Sequence, residues 1–247
     1  MTGNLLSGIE FPRSLLIGLA IPAVVFLQKD LGTAIILFGI FGILFLTSPL
    51  PKDIIKKTVL IVTSLGIFVL LIMYSVQGYI LSDAQLSRFN YFNPCSNYTG
   101  DGYQVCNAFI AINNGGLTGV GIGKSTQKYS YIPEPHTDMV FSIISEEQGV
   151  LKCSLIFIAY IIIIYRILKL STITNRIRDK YICIGAATYI FLHILVNLGG
   201  LFGLIPLTGV PLPFLSYGGS YTLSLIAMLT VIQRIHIEVK KQGIIRR

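Results

Sequence analysis

Thr58-Val-Leu-Ile-Val-Thr-Ser-Leu-Gly-Ile-Phe-Val-Leu-Leu-Ile-Met-Tyr-Ser-Val-Gln-Gly78 runs for 21 residues without a charged side chain. A helix on the surface of a soluble domain keeps a polar face; this one would be apolar all round. A bilayer hydrocarbon core of about 30 Å takes about 20 such residues, so the segment reads as a membrane span. Working outward, the same reading applies to Ser14–Gln28, Gly32–Thr47, Val150–Leu168, Tyr181–Leu198 and Tyr217–Ile235. Ser14–Gln28 and Gly32–Thr47 are short and flank Lys29-Asp30, and they read as a pair meeting at one membrane face. Composition agrees with this reading. Of 247 residues 53% are hydrophobic and 12% charged, and the mean hydropathy is +0.73; about 25% charge is usual in a soluble domain. The expected fold is an all-α polytopic membrane protein with about six transmembrane segments, two of them short, and a large structured extracytoplasmic loop. It forms one membrane domain over 1–247, with the loop at 78–137. The first residues carry no secretory-signal pattern, so the first apolar segment is expected to remain as a helix.

The formal charge of +8 raises nucleic-acid binding, and the distribution of that charge argues against it. Lys52, Lys56 and Lys57 share one connection; Arg166, Lys169, Arg176, Arg178 and Lys180 another; Arg234, Lys240, Lys241, Arg246 and Arg247 the tail. With alternating spans the three clusters fall on one side, the positive-inside pattern. Both termini are then cytoplasmic, the loop 78–137 is extracytoplasmic, and the charge speaks for a membrane and for no nucleic acid. Cys95 and Cys106 lie in that outer loop, where oxidation is permitted, although spacing alone does not establish a disulfide. Cys153 and Cys183 lie in apolar sequence and read as packed thiols. His193, in mid-helix, reads as a hydrogen-bonded packing residue.

Within the outer loop Tyr103–Ile112 is apolar enough for a short interfacial helix. Gly115, Gly116, Gly119, Gly121 and Gly123 follow and allow close approach of backbone to a ligand. Gly119-Val-Gly-Ile-Gly-Lys124-Ser125-Thr126 is not a phosphate loop, because Thr118 stands where that motif needs its first Gly. The backbone and Lys124 remain suited to contacting a diphosphate. Tyr131-Ile-Pro-Glu134-Pro-His136-Thr137-Asp138 then returns the chain to apolar sequence. Thr137 is a reasonable N-cap, which would put Asp138 in the first turn near the positive end of the helix dipole. Glu134, His136 and Asp138 do not have metal-ligand spacing. Asp138 suits a general base acting on a hydroxyl, or a helix-capping carboxylate. Glu146 and Glu147 are buried-looking charges at the start of the fourth span; intramembrane ionisable groups are functional candidates, or they pair with Lys152 or Arg88. Asp30 sits at the outer mouth between the two short helices, or pairs with Lys29. Asn197–Ser220 is too apolar for a solvated loop and too rich in Gly and Pro for a straight helix. Irregular backbone at membrane depth survives only buried in protein or lining a cavity, so this segment reads as a cavity wall facing Asp138.

Taken together, Gln28–Ala34, Gly102-Tyr-Gln-Val, Gly115-Gly-Leu, Gln127-Lys128-Tyr129, Pro133-Glu-Pro-His-Thr-Asp138, Glu146-Glu147-Gln148-Gly149 and Pro206–Ser220 resemble the SEDS (FtsW/RodA/SpoVE) family of shape, elongation, division and sporulation proteins. Lys29 and Gln148 depart from the family's Pro and Leu. The resemblance covers nearly the whole chain and matches the family's last six spans, so about four N-terminal spans are expected to be missing. It implies a peptidoglycan glycosyltransferase of the bacterial cytoplasmic membrane that polymerises lipid II onto a growing glycan strand at the outer face, with inversion, in cell division or shape maintenance. It also implies a class B penicillin-binding protein, a transpeptidase, as partner. Asp138 takes the place of the family's essential Asp and would be the catalytic base. Arg88, Lys124 and Lys128 would meet the diphosphate, alone or with a divalent cation (Mg or Mn) for which Asp138 is the candidate ligand. Asp30, Glu134, His136, Glu147 and Ser216 would complete the substrate groove. A flippase of lipid-linked precursor and a non-catalytic scaffold for the transpeptidase are the competing readings.

Overall fold

The computed structural model describes residues 10–28, 30–77, 95, 101–132 and 135–243. Arg88 and Glu134 lie outside the described residues, as do Lys29 and most of the first half of the outer loop. Eight helices are seen among the described residues: α1 (Glu10–Leu27), α2 (Leu31–Leu46), α3 (Lys52–Gln77), α4 (Asp101–Gly115), α5 (Gln127–Ser130), α6 (Val140–Ile173), α7 (Ile177–Leu201) and α8 (Gly219–Lys241). Each of the six expected spans falls in a helix but for a residue or two at its ends, Gly78 lying outside the described residues, and the expected interfacial helix is α4. In lipid a helix is one of the few structures that satisfies every backbone polar group internally, which is why apolar runs of this length take that form. Among the described residues α6, α7 and α8 are long and apolar enough to cross a membrane, while α1 and α2 are shorter apolar helices. The chain is an all-helical, polytopic membrane protein.

Two clusters hold the bundle together. One joins α4, α6, α7 and the segment before α8 through Ala108, Met139, Phe141, Leu198, Leu201 and Leu212. The other joins α6, α7 and α8 through Ile167, Leu170, Cys183, Ile190, Ile232 and Ile235. α2 also packs on α7, with Ile36 against Val196 and Val210. Cys153 and Cys183 are buried free thiols. Cys95 and Cys106 form a disulfide, tying residue 95 to α4 within the 78–137 segment. His193 is buried, bonded through Nδ1 to the Pro211 carbonyl at 3.2 Å and ringed by Tyr189 and Tyr221; it is a packing residue, as expected.

α6 is not one straight rod. Gly149 sits at φ 78°, ψ 167° and divides it into Val140–Gln148 and a long membrane portion beginning at Val150, where the sequence places the start of the span. The break is matched from outside. Val120 and Gly121 donate to the Glu146 and Glu147 carbonyls at 3.0 Å, and Val150 donates to the Gly116 carbonyl at 3.0 Å. A Cβ on Gly119 would overlap the Glu147 carbonyl oxygen, and one on Gly149 would overlap the Gly119 nitrogen. The approach that the glycine-rich stretch permits is therefore of chain to chain at Gly119, where the sequence suggested chain to ligand.

Candidate functional site

The Asp138 turn and the irregular segment after α7 form one construction. His136, Thr137 and Asp138 offer three successive backbone carbonyls, and each is taken. Tyr217 N–H donates to His136 O at 2.8 Å, Ser216 Oγ to Thr137 O at 2.6 Å, and Asn197 Nδ2 to Asp138 O at 2.8 Å. Asn197 Nδ2 also donates to Val210 O at 2.8 Å, and Ser216 Oγ accepts from Leu212 N at 2.7 Å. The wall expected from the Gly and Pro content is thus present and is fastened to the Asp138 turn. Pro206, Pro211 and Pro213 withhold donors along it, Gly209 turns through φ 69°, and Phe214 adopts φ 66°, a region costly for a residue with a Cβ.

This stitching corrects the expected capping. Thr137 is not the N-cap, and Asp138 is not in the first turn: helix α6 begins at Val140 after Met139. The carbonyls of residues 136–138, which a helix starting earlier would use for its own i+4 amides, are occupied instead by Tyr217, Ser216 and Asn197 from far along the chain. The Thr137 hydroxyl donates to Asp138 Oδ1 at 3.0 Å. The Asp138 side chain is half-buried. On either side of it, His136 and Val140 line a cleft of about 610 Å³ closed by Leu215–Gly219, Thr222, Leu223 and Ile226. His136 and Ser216 line this cleft, and Asp138 stands in the same turn between His136 and Val140 without lining it. Ser216 is only 8% exposed and its hydroxyl makes both its bonds inside the protein, so it holds the turn. Asp30 caps α2, its Oδ1 accepting from Thr33 N at 3.0 Å. Gly32, two residues on, abuts Thr208 and Val210 of the same wall.

A second group lies one helical stretch away. Lys128 Nζ stands 4.0 Å from Glu147 Oε1 and 5.8 Å from the centroid of Tyr129, while Lys124 is exposed. Glu146, 1% exposed, is the deeper carboxylate. It accepts from Thr126 Oγ1 at 2.9 Å, from the Thr126 and Gln127 amides at 3.3 Å, from Asn114 Nδ2 at 3.4 Å, and from Ser125 Oγ. These donors are what allow a carboxylate to be buried at all. Of the alternative partners named for these carboxylates, Lys152 pairs with neither among the described residues and Arg88 lies outside them: Glu146 is held by a cage of neutral donors, and Glu147 faces Lys128. Sequence reading passed over two residues, Asn197 and the Ser125 member of the cage. An amide in an otherwise apolar helix was the available signal for Asn197, since such a group finds a partner across helices. Among the described residues no three His, Cys, Asp or Glu side chains converge on a metal position.

The family of cell cycle proteins comprising FtsW, RodA and SpoVE matches residues 7–241. Among relatives, a probable peptidoglycan glycosyltransferase FtsW of Bacillus subtilis (strain 168) is 34% identical over 96% of this chain and 59% of its own length. Stage V sporulation protein E of the same strain is 39% identical over 56% of this chain and 38% of its own length. The chain thus spans about six-tenths of the length of the first of these relatives. A solved chain from a peptidoglycan synthase complex that coordinates polymerisation and crosslinking matches 95% of this chain and 64% of its own, with TM-score 0.67 and 23% identity, which shows the shared fold.

Proposed function

Because the chain belongs to the FtsW/RodA/SpoVE family of cell cycle proteins, we propose that it is the catalytic part of a peptidoglycan glycosyltransferase working on lipid II at the outer face of the bacterial cytoplasmic membrane. The observation that carries this reading is the fastening of the three carbonyls of His136, Thr137 and Asp138 to the wall segment. It fixes a half-exposed carboxylate beside a cleft between helices, where a polar head can meet it while a polyprenyl tail stays in lipid. Asp138 takes the proton of the acceptor sugar 4-hydroxyl as that oxygen attacks the donor anomeric carbon. The new C1–O4 bond forms as the bond from C1 to the diphosphate oxygen breaks on the opposite face, and the electron pair leaves with the polyprenyl diphosphate. The configuration at C1 inverts. Preorganised donors aimed at developing charge supply much of such a rate; Lys124 and Lys128 have this role, with Arg88 as a third cation. A divalent ion, Mg or Mn, would have Asp138 as its candidate ligand and would neutralise the same charge. Asn197 and Ser216 are positioning residues, His136 borders the groove, and Asp30, Glu134 and Glu147 remain candidates for substrate contact.

The partner we propose is a class B penicillin-binding protein, which would crosslink the strand produced. In support, the peptidoglycan synthase complex described above coordinates polymerisation with crosslinking, and one of its chains has this fold. The test is glycan-strand formation from purified lipid II in detergent, where a flippase would give no product. The unaltered protein is expected to form strands and Asp138→Asn to lose about a hundred- to ten-thousand-fold in rate. Strand formation at an undiminished rate by Asp138→Asn would remove Asp138 as the base. A dead variant that still recruits the transpeptidase would separate catalysis from scaffolding.

A further inference from the structure

α6 and α8 run in the same direction, so their C-terminal ends reach the same membrane face, the one carrying the basic clusters. Two clefts open there. The first, about 390 Å³, is lined by Arg176, Arg178 and Arg234 together with Asp179 and Glu238. Each of its three arginines is ion-paired within it: Arg176 meets Glu238 at 2.9 Å, Arg234 meets the same Glu238 at 3.2 Å, and Arg178 meets Asp179 at 3.5 Å. The second, about 320 Å³, lies between α6 and α8. Arg166 and Lys169 stand one turn apart on α6, and Gln233 and His236 one turn apart on α8. The floor between them is apolar, with Ile167 and Ile232 buried. No carboxylate lines this cleft, and among the described residues neither Arg166 nor Lys169 has an ion-pair partner.

The surroundings of the second cleft are lipid-facing. Tyr165, Leu168 and Ile237, next in sequence to residues that line it, are exposed apolar or amphipathic side chains, and an exposed tyrosine beside cationic residues is the pattern of a membrane interface. A water-borne anion would gain the charge but nothing from the apolar floor. We propose that the cleft between α6 and α8 binds the headgroup of an anionic phospholipid of the inner leaflet, its phosphate between Arg166 and Lys169, Gln233 and His236 donating from the facing helix, and an acyl chain running along the apolar floor. Basic pockets between membrane helices on the cytoplasmic side suit such headgroups. The site is remote in sequence from Asp138 and does not depend on the glycosyltransferase reading.

Native mass spectrometry of the protein in a neutral detergent tests this directly. Phosphatidylglycerol is the probe, with phosphatidylcholine and inorganic phosphate as separate arms. One retained phosphatidylglycerol is expected, displaced by neither of the others. Arg166→Gln with Lys169→Gln should weaken its retention on the order of thirty-fold, at about one cationic contact's worth per residue. Arg176→Gln with Arg234→Gln, in the ion-paired cleft, should leave it unchanged. Equal losses in the two double variants would reduce the effect to general surface charge and overturn the site, as would undiminished retention in Arg166→Gln/Lys169→Gln. Displacement by inorganic phosphate would assign the cleft to a soluble anion instead. A thermal melt of each variant shows that it is folded.

Discussion

Asp138 is held by its backbone more than by its side chain, and this makes its neighbours separable by experiment. Ser216 donates to the Thr137 carbonyl and accepts from the Leu212 amide while 8% exposed. Ser216→Ala removes both bonds and takes from the buried Leu212 amide its Ser216 acceptor, a cost of about 1–3 kcal/mol. If Ser216 positions the turn, the variant should lose on the order of ten- to hundred-fold in turnover, the scale set by a small misplacement of a reacting group. Lipid II binding should be nearly unchanged. A steady-state separation of KM from kcat checks this; a rise in KM with kcat intact would return Ser216 to the substrate. Glu146 is the other residue with a sharp expectation. Glu146→Ala empties a cage of donors from Asn114, Ser125, Thr126 and Gln127 and should destabilise by about 3 kcal/mol or more, read as a lower melting temperature in detergent. The motif letters around Asp138 were legible in the sequence. The role of Ser216 was not, because a serine in a Gly- and Pro-rich run looks the same whether it faces a substrate or a carbonyl.

At the scale of elements, the break in α6 decides how the outer loop meets the membrane helices. Gly149 and Gly119 approach each other backbone to backbone, and both adopt positive φ. Gly116, φ 51°, has open space where a Cβ would stand. Gly116→Ala should therefore cost only the left-handed backbone penalty, about 1–2 kcal/mol. Gly119→Ala adds a clash with the Glu147 carbonyl that no side-chain rotation relieves. Paired melts of the two variants should show the second clearly lower; equal melting would mean the loop does not press on α6. The helices themselves were readable from apolar runs, and so was the start of the long portion of α6 at Val150. The capping was misread at Thr137 because N-cap preference is a local rule, and here carbonyl partners from Asn197, Ser216 and Tyr217 override it.

For the whole molecule, the proposed orientation rests on three basic clusters that alternating spans would bring to one side. Single cysteines placed at Lys124 and at Lys57, in a background lacking accessible thiols, test it. A membrane-impermeant maleimide should label the first in intact cells and the second only after permeabilisation. Labelling of Lys57→Cys in intact cells would invert the arrangement and move the Asp138 cleft to the wrong face for an outward-working polymerase. The long helical spans, their number and the family were decided by the sequence alone, because partition into lipid depends on the local run of apolar side chains and needs no partner. What only the tertiary structure decided is which polar groups meet. Asn197 reaches Asp138 across 59 residues and Ser216 reaches Thr137 across 79. Such pairings depend on how α6 and α7 pack and where the wall segment lies between α7 and α8, information that no short stretch of sequence contains.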